Sequence, residues 1–165
     1  MAVDHSYGKI VTSGLVLYLN AADRNSYVSG SATWFDLSGM GNSGSLVNGP
    51  TFSSGSFGSI QFDGVDDYVN CGTNSSISIV GDMTVCSWVY ITDISKNNGI
   101  IGKTQNNIPA PYDYYTDTGN PSAMVFVRGN GTIYGTLKST ATVLGNTWNF
   151  LSVTMQGTSV IHYLN

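Results

Sequence analysis

Apolar and polar positions in this chain alternate over short stretches and do not recur with the three-to-four-residue period of a helix. No window of a dozen residues has apolar side chains at i, i+3, i+4 and i+7 with helix-favouring partners and no glycine. Short apolar segments separated by Gly, Asn, Asp and Ser recur instead, about eleven in all, the pattern of a sandwich or barrel. Gly14 to Leu19 reads as an early strand, apolar on both faces and therefore expected to be buried on both. A short extended piece follows at Trp34 to Leu37, then a loop with glycines at 39, 41 and 44. Gly58 to Phe62 and Tyr68 to Asn70 are expected to pair across an Asp63-Gly64 turn. Met83 to Ile91 is the clearest strand. Further candidates are Ile100 to Lys103, Tyr112 to Tyr115, Ala123 to Val127 and Thr132 to Leu137, with a hairpin from Trp148 to Met155 and Ser159 to Leu164. Trp88, Val85, Phe62, Leu17, Phe150 and Val153 are expected in or near the core.

Length and charge narrow the classes. At 165 residues the chain reads as an N-terminal arm, 1–13, followed by one β-sandwich domain, 14–165. Charged residues make up 10%, well below the usual quarter or so. A β surface with so few charges tends to associate unless it is covered, which suits a protein that lives in an assembly. The net charge of −4 and the lack of any basic run argue against nucleic-acid binding. Apolar runs of about eight residues are too short to span a bilayer. The start carries no secretory signal pattern, so synthesis in a host cytoplasm is expected. Cys71 and Cys86 are expected to be free, with a disulfide between neighbouring strands as the alternative.

Several runs resemble a known family. Gly14-Leu15-Val16-Leu17-Tyr18-Leu19-Asn20-Ala21-Ala22, Asp36-Leu37-Ser38-Gly39-Met40-Gly41-Asn42-Ser43-Gly44 and Phe62-Asp63-Gly64-Val65-Asp66-Asp67-Tyr68-Val69 are similar to successive motifs of concanavalin A-like, laminin-G-type jelly-roll domains. So are Thr84 to Val89 and Asn146 to Thr154. The resemblance implies an all-β fold, a two-sheet antiparallel jelly-roll sandwich. In such domains Tyr163-Leu164-Asn165 usually runs on into further strands; either the chain is a fragment, or a neighbour supplies the closing strands. Lys9 to Leu15 and Asn20 to Tyr27 resemble the versions found in tailed-phage structural proteins. Because the superfamily includes lectins, adhesion modules, glycosidases and virion proteins, it leaves function open.

Candidate chemistry is sparse. A glycosidase needs two carboxylates facing each other across a cleft, and the chain has no Glu; Asp63 with Asp67 and Asp113 with Asp117 are the available pairs. His5 reads as part of a terminal arm and His162 as a sheet-surface residue. No nucleophile elbow, phosphate loop or Cys/His metal spacing occurs. Asp36, Asn42, Asp63, Asp66 and Asp67 offer hard oxygen ligands for calcium, or cap turns by accepting nearby amides. Tyr112, Asp113, Tyr114, Tyr115 and Asn120, with Asn106 and Asn107 near, form the best cluster for glycan or partner contact. Alternation sets Tyr112 and Tyr114 on one face and Tyr115 on the other. No cofactor is required. The leading expectation is a non-enzymatic virion surface protein, a capsid decoration or a tail-associated adhesion module. Its partners would be capsid or tail subunits, copies of itself, and host-surface glycan. A free carbohydrate-binding module is the alternative.

Overall fold

The computed structural model describes residues 10–103, 111–118, 123–129 and 134–165. Among them there is no α-helix, only two single 3₁₀ turns at Gly55–Phe57 and Ser75–Ile77, and every strand pairing is antiparallel. The all-β expectation holds. The chain divides into two compact units, Met1–Ile77 and Ser78–Asn165.

In the first unit, β1 (Thr33–Trp34), β2 (Gly44–Val47), β3 (Thr51–Ser53), β4 (Ser59–Gln61) and β5 (Tyr68–Asn70) form two small sheets, β1-β2-β5 and β3-β4. Two expectations are corrected here. Gly14 to Leu19 joins no ladder, and Leu15 to Leu19 are only half-buried: the Tyr18 amide donates to the Asp36 side chain, and the Tyr18 carbonyl accepts from Leu37 N–H. Nor do β4 and β5 pair with each other; β4 pairs with β3 and β5 with β2. The reason lies in the aspartates between them. Asp63 Oδ1 accepts the Val65 and Asp66 amides and Asp67 Oδ2 accepts the Asp63 amide, so 62–67 closes on itself as a side-chain-capped loop.

The second unit is a two-sheet sandwich. Strands β7 (Asn98–Gly102), β8 (Tyr112–Thr116), β9 (Ala123–Gly129) and β10 (Tyr134–Thr142) form one sheet in the order β10-β9-β8-β7. The other, ordered β12-β11-β6, is built from β6 (Met83–Tyr90), β11 (Trp148–Gln156) and β12 (Ser159–Leu164). Gln156-Gly157-Thr158 closes the expected β11–β12 hairpin, with Gly157 at φ 56°, where glycine alone is unstrained. The core between the sheets contains Met83, Ile91, Tyr112, Tyr114, Met124, Phe126, Val143, Leu151 and Val153. Arg128 reaches from β9 to the segment before β6, its guanidinium donating to the Ile79 and Gly81 carbonyls at 2.8 and 3.0 Å.

The expected core is right for Val153 and Val85 and wrong for Trp88 and Phe62, which are 64% and 49% exposed. Leu17 and Phe150 are half-buried. In β6 the inward parity belongs to Met83, Val85 and Val89, which turns Trp88 outward. Neither Cys71 nor Cys86 is in a disulfide, as expected.

Candidate functional site

Around the glycine-rich loop, Asp36 organises the backbone. Its Oδ1 accepts the Tyr18 and Ser38 amides, both at 2.9 Å, and its Oδ2 accepts the Ser38 hydroxyl at 2.7 Å and the Asn42 amide at 3.0 Å. Partial burial pushes the carboxyl pKa up, but these hydrogen bonds outweigh it and hold it below the usual carboxylate value. Asn42, 1% exposed, donates through Nδ2 to the Val16 carbonyl and the Ser76 hydroxyl. Gly39 and Gly41, at φ 85° and 76°, let the loop curl round the carboxylate. Ringed by donors, Asp36 has the surroundings of a turn cap and not those of a cation ligand.

Asp63, Asp66 and Asp67 are placed differently. Each brings a carboxylate oxygen to within 4.8 Å of the others, the one such grouping of acidic, His or Cys side chains among the described residues. Asp67 Oδ1 is a buried atom with no hydrogen-bond partner. Three carboxylates so close repel one another, a cost that a hard divalent cation removes. The trio therefore fits calcium, while Asp36 and Asn42 lie outside the group.

The tyrosine cluster on β8 is taken apart by the pleat. Tyr112 and Tyr114 are 4% and 0% exposed and belong to the core, which corrects their expected role as contact residues. Parity was read correctly but not which face turned inward. Tyr114 packs edge-on against Phe126 and stacks on His162. Asp113 and Tyr115 are half-buried on the opposite face, where burial raises the Asp113 pKa. Asn120, Asn106 and Asn107 lie outside the described residues, as does His5.

His162 is corrected from a surface residue to a half-buried one, with both ring nitrogens buried and the ring stacked on Tyr114. Burial depresses its pKa, opposed only by the Leu137 backbone. The fold thus favours neutral imidazole. Between the folded pKa and the unfolded value of 6.5, the unfolded chain binds more protons, so stability falls as pH drops below 6.5. Urea unfolding at stepped pH is expected to show this slope in wild type and to lose it in His162→Phe.

The residues that sequence reasoning misplaced form one surface. On the outward face of β6-β11-β12, Trp88 lies opposite Phe150 and Tyr90 opposite Trp148, with ring centroids 5.3 and 5.7 Å apart. Ile161 and Tyr163 extend the face onto β12 at 51% and 46% exposure. Further along the same strands, a shallow concavity of about 480 Å³ is lined by Thr84, Thr154, Gln156, Ile161 and Tyr163, with Asp82 at its edge. The available signal was in-phase alternation: aliphatic residues hold one parity of β6 and β11 and aromatic residues the other. A second concavity, of about 390 Å³, lies in the first unit between the glycine loop and Asn70 to Asn74.

The family model described as the concanavalin A-like lectin/glucanases superfamily matches residues 63–165, more than half of the chain. No curated protein and no solved structure gives a significant match.

Proposed function

Because the chain belongs to the concanavalin A-like lectin/glucanases superfamily, we propose that it is a non-enzymatic binding domain of a virion surface, a capsid decoration or a tail-associated adhesion module. The observation that carries the reading is the outward β6-β11-β12 face, which exposes Trp88, Tyr90 and Tyr163 and has no charged side chain within its three strands. Exposed aromatic surface of this kind marks an interaction site. The edges of the same sheet can take a strand from a capsid or tail subunit, or from another copy of the chain. The resemblance of Lys9 to Leu15 and Asn20 to Tyr27 to tailed-phage structural proteins supports the virion setting, with synthesis in the host cytoplasm.

Catalysis is disfavoured by geometry. Asp113 and Asp117 stand four residues apart along one strand direction, a rise of about 13 Å, against the roughly 5–9.5 Å between glycosidase carboxylates. Asp63 and Asp67 accept the amides of their own loop, and neither concavity is lined by a carboxylate pair. The test is density-gradient sedimentation of virions with an antibody against the chain, alongside a reducing-end assay on the purified protein. Co-migration without sugar release is expected; release of reducing ends, lost on Asp→Asn exchange, would overturn the reading. A free carbohydrate-binding module is the second reading, favoured by the aromatic face, and it predicts a soluble monomer that stays at the top of the gradient.

Calcium belongs to the proposal as a structural ion held by Asp63, Asp66 and Asp67, where it would neutralise the trio and order the loop between β4 and β5. Calorimetric titration is expected to show heat and a raised melting temperature, both lost in Asp67→Asn. Absence of both in wild type would end the calcium assignment.

A further inference from the structure

Resting on the reading of the chain as a binding domain, we propose that the outward face of β6-β11-β12 packs on the same face of a second copy, about a two-fold axis running along the Cys86–Ser152 row. The face is built in cross-strand rows, and its two ends differ in bulk. Tyr90 with Trp148 and Trp88 with Phe150 make two aromatic rows at one end. Thr84 with Thr154, continued by Ile161 on β12, belongs to the shallow concavity at the other. Between them lies Cys86, exposed at the surface, with its Sγ 3.1 Å from the Oγ of buried Ser152. Knob and hollow thus occur on one surface, two residues to either side of Cys86. A two-fold axis across the strands at Cys86 sets Trp88 and Phe150 of each copy over Thr84 and Thr154 of the other, and large side chains then meet small ones as interdigitating layers require. An axis along the strands would stack aromatic row on aromatic row and leave both hollows empty. Trp88 is held from one side by Phe150, so its ring is oriented before a partner arrives.

Area and charge both suit a second copy. Trp88, Tyr90, Ile161 and Tyr163, at 64%, 47%, 51% and 46% exposure, leave on the order of 400 Å² in water, about half of the ~800 Å² that each partner gives to a standard interface. Exposed Thr84, Cys86 and Gln156 carry the patch further. The three strands put no Asp, Lys or Arg on the face, so two copies of net charge −4 meet there without repulsion. Asp82 at the edge of the hollow and Tyr90 lie four residues to either side of Cys86. The axis therefore sets Asp82 opposite the partner's Tyr90 and keeps the two Asp82 carboxylates apart. Face packing uses side chains and not the main-chain edges of the sheet, so association of copies and attachment to a virion would occupy different surfaces.

The test is sedimentation velocity of the purified chain over a concentration series, with thiol crosslinking by bismaleimidoethane. Wild type is expected to dimerise. Facing sheets pack about 10 Å apart, too far for a disulfide between two Cys86 residues, whose Cα atoms must come within about 7 Å, but within reach of the short bismaleimide. The crosslinked dimer should persist in Cys71→Ser and vanish in Cys86→Ser. Trp88→Ala should weaken association about thirtyfold or more, since each change is felt twice across a two-fold axis. Thr154→Tyr fills the hollow that the partner's ring needs and should do the same, whereas pairing through the sheet edges would be indifferent to it. Phe57→Ala, at a 94% exposed ring in the first unit, should leave the dimer unchanged. Melting curves establish that each variant is folded. A wild type that stays monomeric at every concentration, a dimer without the Cys86 crosslink, or a dimer indifferent to folded Trp88→Ala overturns the proposal. A monomer that still co-migrates with virions would keep the binding-domain reading, with a virion protein on the face. A Trp88-dependent dimer that ignores virions would uphold the face contact and sink only the virion setting.

Discussion

Gly44→Ala is expected to destabilise the first unit by about 3 kcal/mol, the upper range for forcing extra volume into a packed site. Gly44 is buried in β2 between β1 and β5. A Cβ built there would lie 2.3 Å from Val69 Cγ1 and 3.2 Å from Cys71 Sγ. Val69 has little room to yield, because its β-branched side chain is stiff at χ1 and its Cα is held in register opposite Leu46. The clash joins two sequence motifs: the last glycine of the 36–44 loop is small because the valine of the 62–69 run packs on it. Urea unfolding should show a lower midpoint at unchanged m-value. Adding Val69→Ala to Gly44→Ala should recover about 1 kcal/mol relative to the sum of the single changes, a coupling that only direct contact produces. Strict additivity would show that the two residues do not oppose each other.

Much of the fold was legible because its signals are local. Gln156-Gly157-Thr158 between two alternating runs specifies a hairpin, and β11 and β12 pair across it through six residues. What sequence could not decide was which parity of a strand faces inward. Alternation put Tyr112 and Tyr114 on one side without saying that the side was core, and the same ambiguity sent Trp88 to the wrong face of β6. Register and parity depend on partners far away in sequence: the Val153 and Val85 pairing, not anything near Trp88, turns the tryptophan outward. The pairing of β4 failed for the opposite reason. Local chemistry was stronger than it looked, since Asp63 and Asp67 cap amides across 62–67 and leave no two-residue turn.

The same distinction separates the candidate sites. Asp36 and Asp63 belong to similar Asp-Gly-rich runs, and sequence offered both as calcium ligands or turn caps. Both accept amides of their own loops, and the structure distinguishes the two runs by what is left unpartnered. Four N–H and O–H groups surround Asp36, whereas Asp67 leaves a buried oxygen unpartnered beside two other carboxylates. Those donors come from Tyr18, Ser38 and Asn42, and the first of these is eighteen residues away in sequence.

Asp36→Ala is accordingly expected to cost about 3 kcal/mol, because it strands three amides and a hydroxyl that a carboxylate satisfies together; net values for hydrogen bonds to a charged group run about 1.5–3 kcal/mol each, reduced here by partial access to water. Asp36→Asn is the sharper probe. Its retained oxygen can still accept the Tyr18 and Ser38 amides, and the Ser38 hydroxyl can rotate to accept from the new amide group. The Asn42 N–H has no such freedom and would face another donor. About half the loss is therefore expected, roughly 1.5 kcal/mol. The acid dependence follows from the depressed Asp36 pKa. The charged carboxylate stabilises the fold fully above the unfolded value of 3.8, and that contribution fades as pH falls below it through the folded pKa. The gap between wild type and Asp36→Asn in urea midpoints should thus hold steady down to about pH 4 and narrow below it. A gap that does not change through the acid range would mean that shape, and not charge, is what the loop requires of Asp36.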